Sequence, residues 1–261
     1  MRVKDKTILV TGATGGIGSA LCSLLAKRGA RLILTCYNDE LLAWLKAKLG
    51  SGHTTVTADI SSNQGRKEIV TACTRNGGID AVINLAGILD FNLFEKQSEE
   101  TIDKILSINL VSVMLLCHEL IPMLREKPTA AIANIGSTFG SIGHPGFAAY
   151  CASKAGVRCF TEALSRELAD SDIHVSYIAP RATSTSLNTD QINALNTALG
   201  NKSDSPEYVA DQIVEVIEQD AWLRFLGWPE KLFVRVNALC PGLVHGALVK
   251  KLSVIKQYAN Q

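Results

Sequence analysis

Between a short β-rich run, Thr7–Thr11, and a helical pattern over 17–28, the chain places glycines at 12, 15, 16 and 18. A strand that runs through closely spaced glycines straight into a helix has few ways to fold. Gly12 permits the tight turn, Gly16 lets the backbone approach a bound pyrophosphate, and Gly18 lets the helix pack close to the sheet. The helix that starts there offers free N–H groups and the positive end of its dipole to phosphates. The spacing Gly-x-x-x-Gly-x-Gly is one residue longer than the usual dinucleotide fingerprint. Its place between strand and helix makes it more than a loose glycine loop.

The alternation continues along the chain. After Gly29 the pattern predicts a strand at 31–36 and a helix at 39–49 with leucines at helical spacing. Strands at 54–58, 80–84, 130–135 and 174–178 then alternate with helices at 62–75, 99–125 and 148–169. Helices near 188–198 and 206–219 and a strand at 222–226 follow. Strands separated by helices imply right-handed crossovers and a parallel sheet covered on both faces. The expected class is α/β: a doubly wound, Rossmann-type parallel sheet in a single domain over 1–261, with 222–261 as its helical extension.

Composition agrees. Of 261 residues, 47% are apolar and 20% charged, enough for a core and against disorder. Twenty-six basic residues against twenty-five acidic ones leave a net charge of +1, too balanced for a duplex-binding protein. The seven cysteines, at 22, 36, 73, 117, 151, 159 and 240, include no Cys-x-x-Cys pair and no interleaved His. That argues against a disulfide framework or a zinc site and for buried thiols in a reducing cytoplasm. The uncharged stretch Thr7–Ala26 imitates a signal peptide, but its apolar run before Gly12 is only Ile8-Leu9-Val10. The uncharged stretch 129–153 is rich in Gly, Ser and Pro, and no membrane-spanning helix is expected.

Tyr150 alone among the five tyrosines has Lys four residues on, at Lys154. On a helix the two share a face. A phenol has a pKa near 10, so its anion at pH 7 costs about 4 kcal/mol. A nearby ammonium and a helix N-terminus both favour the anion, giving a proton donor and acceptor usable near neutrality. Ser137 follows the predicted strand 130–135, at the end of the sheet where a doubly wound fold holds its ligands. Its hydroxyl could hold a carbonyl beside the phenol. Asn109, amid Ile105, Leu106, Ile108, Leu110 and Val111, needs a partner if it is buried.

Together these pieces resemble the short-chain dehydrogenase/reductase family over about residues 5–226. The resemblance implies an NAD(P)-dependent oxidoreductase acting on a small-molecule carbonyl or secondary alcohol, and a homo-oligomer. Tyr150 would be the acid/base, and Lys154 would tune its pKa and bind the nicotinamide ribose. Ser137 would orient the substrate oxygen, and Asn109 would hold a water in the proton relay. Cofactor contacts are implied for Gly12, Thr14, Gly15, Gly16, Ile17 and Gly18, and for Asp59 and Ile60 beside the adenine. Asn84, Ala86 and Gly87 match the family's Asn-Asn-Ala-Gly element, with Leu85 in its second place. Tyr150, Lys154, Pro180 and Thr183 complete the implied cofactor set. A non-catalytic nucleotide-binding regulator, or an epimerase or dehydratase on the same scaffold, is the competing reading.

Two further departures stand out. Where the family has Pro-Gly, this chain has Pro180-Arg181, and Arg181 is expected either to be solvent-exposed or to meet an anion on cofactor or substrate. The end of the second strand usually separates NAD from NADP by an acidic or basic side chain. Here it reads Cys36-Tyr37-Asn38, which leans to NADP, with Asp39 able to reverse the preference. Finally, 222–256 carries Arg224, Lys231, Arg235, Lys250, Lys251 and Lys256 against Glu230, among many apolar residues. Pro241 and Gly242 are expected to split it into two helices. Such a segment can contact a membrane surface peripherally. A pair of helices closing the substrate pocket or forming a subunit interface is the preferred reading, and the apolar content suggests a hydrophobic, lipid-like or acyl-chain substrate.

Overall fold

The computed structural model describes residues 1–259. Seven strands form one parallel sheet in the order β3-β2-β1-β4-β5-β6-β7. They are β1 (Thr7–Thr11), β2 (Arg31–Cys36), β3 (Thr54–Thr57), β4 (Ala81–Asn84), β5 (Ala130–Ile135), β6 (Ile173–Ala179) and β7 (Leu223–Phe225). The chain walks outward from β1 to β3, then jumps back across β1 to start β4. This is the Rossmann-type, doubly wound α/β arrangement expected from the sequence. The reversal between β1 and β4 opens a crevice at their carboxyl ends.

Burial explains the strand sequences. Along β1, Ile8 and Val10 face one layer, which they fill with Leu21 and Leu25 of α1 (Gly16–Lys27) and Ile213 and Ile217 of α8 (Pro206–Glu218). Leu9 faces the other layer, with Ile69 and Cys73 of α3 (Asn63–Arg75) and Leu116, Leu120 and Leu124 of α5 (Ser112–Leu124). A strand buried on both faces reads as an unbroken apolar run, as Ile8-Leu9-Val10 does. In the same layer as α1 lies α2 (Asp39–Leu49), with Leu42 and Leu45 buried and the Asn38 side chain capping it by accepting from Leu41 N.

The crossover from β4 to β5 departs from the plain helix expected over 99–125. It begins as α4 (Glu99–Leu106), widens into a π turn at Ser107–Val111, and continues as α5. By length and composition Glu99–Leu124 would pass for a membrane span; here it lies on the sheet. After β5 come α6 (Ala148–Glu167), β6 and α7 (Asp190–Ala198).

The C-terminal extension forms three helices rather than two: α9 (Glu230–Leu239), α10 (Pro241–Lys250) and α11 (Leu252–Ala259). Pro241 makes the expected break by opening α10 in its first turn, where its missing N–H costs nothing. The further break at Lys251 lets α11 turn back, burying Ile255 and Ala259 with Ile192 and Leu195 of α7 and with Phe91, Phe147 and Tyr150. The remainder of the extension, 260–261, lies outside the described residues.

Candidate active site

The floor of the crevice is stitched at the switch point. The Thr11 hydroxyl accepts from the N–H groups of Leu85 (3.0 Å) and Ala86 (3.1 Å), tying the end of β1 to the loop after β4. Gly12 has φ +65°, and a Cβ there would stand 2.8 Å from the Ala86 Cα. A Cβ at Gly18 would run into the Gly12 carbonyl. Both glycines are therefore required by close backbone approach, Gly18 to the turn itself. Thr14 donates to Cys36 Sγ at 2.9 Å, joining the glycine turn to the end of β2. Gly15 caps α1 without a side chain, whereas Asn38, Ser62, Ser98, Thr189 and Ser205 cap α2, α3, α4, α7 and α8 with theirs. The first turn of α1 also holds no acidic residue, which leaves its dipole end to an anion.

Ser137 leaves β5 in an extended conformation and caps a short turn, its Oγ accepting from Phe139 N at 3.1 Å. Beneath it lies Tyr177 of β6, fully buried. The Tyr177 hydroxyl accepts from Ser137 N (3.3 Å) and donates to Ser137 O (3.1 Å). A Cβ at Gly136 would collide with this ring, so the glycine before Ser137 makes room for its support. Nothing in the sequence singled out Tyr177, because a tyrosine in a strand reads as core.

Tyr150 and Lys154 sit in the first two turns of α6, both buried. Burial pushes the Tyr150 phenol well above its ordinary value, and the neighbouring Ser137 hydroxyl partly offsets this. Burial lowers the Lys154 ammonium to about 8. Its Nζ donates to the Ile135 carbonyl at 3.0 Å and lies 5.9 Å from the centre of the Tyr150 ring. The three polar groups that the sequence brought together thus converge at the end of β5. Around them stand Phe139, stacked on His144 (4.9 Å) and edge-on to Tyr150 (6.4 Å), and Phe147, stacked on Phe91 (4.8 Å). Burial keeps His144 below its ordinary pKa.

Asn109 occupies the π turn and is fully buried. Its amide donates to Ile88 O (2.8 Å) and Ser153 Oγ (3.1 Å), and its carbonyl accepts from Ile88 N (2.8 Å). The Asn109 side chain thus clamps the crossover helix to the loop after β4 and to α6. Asn84 is likewise turned inward, donating to Asn134 Oδ1 (2.8 Å) and Cys117 Sγ (3.3 Å), so its side chain supports the crevice from below. Gly87 is closely faced: a Cβ there would crowd Asn109 Oδ1 at 3.2 Å and meet Lys154 Nζ at 3.5 Å.

Asp59 is exposed and accepts from Ser61 N (2.9 Å) and Ser61 Oγ (2.6 Å), while Ile60 is buried behind it. The Pro180 carbonyl accepts from Thr138 N (3.0 Å), and the Thr183 hydroxyl donates to Arg181 O (3.1 Å). Thr185, from the same loop, rests on Gly16: a Cβ at Gly16 would come 2.6 Å from its Cγ2.

Arg181 corrects the sequence expectation. It is neither solvent-exposed nor turned to a ligand. Its guanidinium donates to Asp204 (2.7 Å), Glu230 (3.1 Å) and the Trp228 carbonyl (3.0 Å), with a side chain only 12% exposed. The anions it meets belong to the chain itself, 23 and 49 residues away. Asp39 is also engaged, its carboxylate accepting from the Thr57 hydroxyl.

Comparison with known proteins agrees with this fold. The sequence model of the family described as short chain dehydrogenase matches residues 6–196. The chain is 34% identical over 197 residues to a 3-oxoacyl-(acyl-carrier-protein) reductase of Vibrio cholerae, covering 75% of this chain and 79% of that protein. It is equally 34% identical over 201 residues to a cyclopentanol dehydrogenase of Comamonas, covering 76% and 80%. Among solved structures, a 3-ketoacyl-(acyl-carrier-protein) reductase of Brucella melitensis complexed with NADH superposes with a TM-score of 0.80 at 26% identity, over 85% of this chain and 96% of that one. A short chain dehydrogenase/reductase of Burkholderia phymatum, in complex with NAD, has a TM-score of 0.85 at 20% identity, over 93% and 96%, and so shares the fold.

Proposed function

As this chain belongs to the short chain dehydrogenase family and is an oxidoreductase of it, we propose that it moves a hydride between a nicotinamide coenzyme and a carbonyl or secondary alcohol on a hydrophobic substrate. The observation that carries the reading is the convergence of Ser137, Tyr150 and Lys154 beside the crevice above the glycine turn.

The residues fit such a coenzyme. Gly12 and Gly18 shape a turn in which a side chain would collide, and α1 starts with no side-chain cap. Gly12, Thr14, Gly15, Gly16, Ile17 and Gly18 would hold the pyrophosphate, with Ala86, Gly87 and Lys154 along the ribose and Pro180 and Thr183 beside the nicotinamide. Asp59 and Ile60 would flank the adenine. Asn84 would contribute through its backbone, because its side chain is engaged elsewhere. When bound, the coenzyme supplies or accepts the hydride. A relative's complex with NADH supports a nicotinamide group. The lean is to NADP: at the end of β2 the carboxylate that would repel a 2′-phosphate is replaced by the Cys36 thiol, held by Thr14.

The chain's own residues do the rest. Ser137 donates a hydrogen bond to the substrate oxygen and sets it beside Tyr150. In the reductive direction the Tyr150 phenol gives its proton to that oxygen, and the neighbouring ammonium of Lys154 stabilises the phenolate left behind. In the oxidative direction Tyr150 takes the alcohol proton. Asn109 keeps the loop after β4 against α6 and so fixes where Lys154 points. The aromatic wall of Phe139, His144 and Phe147 excludes water and favours an apolar or acyl-chain substrate.

We read the enzyme as cytoplasmic, its cysteines unpaired. A second subunit of a homo-oligomer, or a membrane surface, would be met by the exposed Leu239, Leu243 and Val249. The test is to follow nicotinamide absorbance with NADH and NADPH over a panel of ketones from short to long. Turnover that rises with chain length is expected. Equal rates would remove the hydrophobic-substrate reading. Coenzyme binding with no turnover on any carbonyl or alcohol would favour a regulator or another reaction.

A further inference from the structure

The loop that follows β6 is built around Arg181, and its construction has a consequence for the coenzyme site. One end of the loop holds the catalytic side, where the Pro180 carbonyl accepts from Thr138 N beside Ser137. Its middle lies on the glycine turn, with Thr185 against Gly16. Within the loop, Asn188 Nδ2 donates to Thr183 O (2.8 Å), and Asn188 N to Thr185 O (3.1 Å). Ser184 N donates to Asp204 O (3.0 Å), and Asp204 N to Ala182 O (2.9 Å). Asp204 thus grips the loop with its backbone and Arg181 with its carboxylate. Glu230 and the Trp228 carbonyl bring the start of the C-terminal extension to the same guanidinium. Gly227, at φ +82°, passes so close that a Cβ would strike the Arg181 side chain. The family's usual glycine at this place could make none of the three guanidinium contacts.

We propose that Arg181 is a positioning residue: through Asp204 and Glu230 it orders the 182–188 loop over the glycine turn before any coenzyme arrives, and so raises the affinity for the nicotinamide coenzyme. Arg181 touches neither substrate nor coenzyme in this assignment. The mechanism is pre-organisation. A loop already in its bound arrangement pays no ordering entropy on binding, whereas a loop ordered only part of the time lowers apparent affinity by that fraction. Without the cation, two carboxylates in partly buried surroundings would face each other unpaired, which drives the segments apart. The assignment rests on the proposed use of a nicotinamide coenzyme, so one of its readouts is independent of that reading.

The experiment compares wild type with Arg181→Ala and Arg181→Lys. Amide hydrogen exchange of 182–188 is measured with and without NADPH or NADH, coenzyme affinity is measured by titration, and steady-state kinetics separate KM from kcat. In coenzyme-free Arg181→Ala the loop should exchange about tenfold or more faster and regain protection when coenzyme binds. Its coenzyme Kd and KM should rise about tenfold, with a much smaller change in kcat. Arg181→Lys should fall between, since an ammonium lacks the planar fork that reaches three acceptors. A merely structural role would instead lower kcat with the active fraction and leave KM alone. Loop exchange and coenzyme Kd within twofold of wild type would overturn the proposal, and so would faster exchange with unchanged affinity. If Arg181→Ala does not fold, Glu230→Gln takes its place with about a threefold effect in the same direction; no effect there overturns it. Should wild type bind no nicotinamide coenzyme, the proposed reaction fails, and loop exchange alone decides whether Arg181 orders the loop.

Discussion

At the scale of single residues, Tyr150 and Lys154 are two ionisable groups taken out of water within one helical turn. Burial opposes the charged form of each, raising the phenol and lowering the ammonium to about 8. At neutral pH the phenol therefore holds its proton and the lysine still carries its charge, which suits carbonyl reduction. Tyr150→Phe should lower turnover at least about a thousandfold while leaving coenzyme Kd within about twofold. Retained turnover would refute the assigned donor. The rate of reduction should stay level through neutral pH and fall as pH rises through about 8, when Lys154 loses its proton. A pH–rate profile with no break near there would count against Lys154 as the electrostatic partner.

The same lysine makes a stability prediction of opposite sign. Its pKa in the folded state lies below the ordinary 10.5, so the folded chain holds this proton less tightly than the unfolded chain. The penalty is full below about pH 8 and shrinks as pH rises toward 10.5. Lys154→Met removes a cost of about 3 kcal/mol and strands the Ile135 carbonyl, which returns about 1–2 kcal/mol. Urea unfolding at pH 7 should show a variant about as stable as wild type or about 1–2 kcal/mol more stable, yet inactive. A clear loss of stability would mean that the ammonium is less strained than its burial implies.

At the scale of elements, the π turn in the β4–β5 crossover carries the buried Asn109. An added residue in one helical turn shifts the side chains after it and is tolerated where something uses the shift. Asn109 uses it, exchanging two hydrogen bonds with Ile88 and a third with Ser153. Asn109→Ala would leave the Ile88 N–H and carbonyl without their partner in a partly buried loop. The expected cost is about 2–4 kcal/mol, read by chemical denaturation, with faster exchange of the 86–88 amides. A loss under about 1 kcal/mol would show that the clamp is replaced by water and that the turn has another cause.

At the scale of the whole molecule, the C-terminal extension is held at both ends. Arg181 fixes its start, and α11 buries Ile255 among side chains from α6 and α7 and the loop after β4. Ile255→Ala should cost about 2–5 kcal/mol, as for other fully buried isoleucines. Because Tyr150 belongs to the same cluster, KM for an apolar substrate should rise as well. Thermal unfolding and kinetics on the same preparation check both. An unchanged midpoint would mean that α11 is not closed over the site in solution.

The sequence alone determined whatever depends on neighbours a few residues apart. Unbroken apolar runs locate the strands, and strand-to-helix alternation makes the sheet parallel. The glycines of the first turn are visible because their function is local backbone geometry. Tyr150 and Lys154 are visible because four residues make one helical turn. Only the tertiary structure decided what hangs on distant partners. Arg181 finds Asp204 and Glu230, the Tyr177 hydroxyl finds Ser137 from 40 residues away, and Thr185 comes down on Gly16. An ion pair or a buried hydroxyl chooses its partner by where the topology brings the chain back, and no spacing in the sequence encodes that meeting.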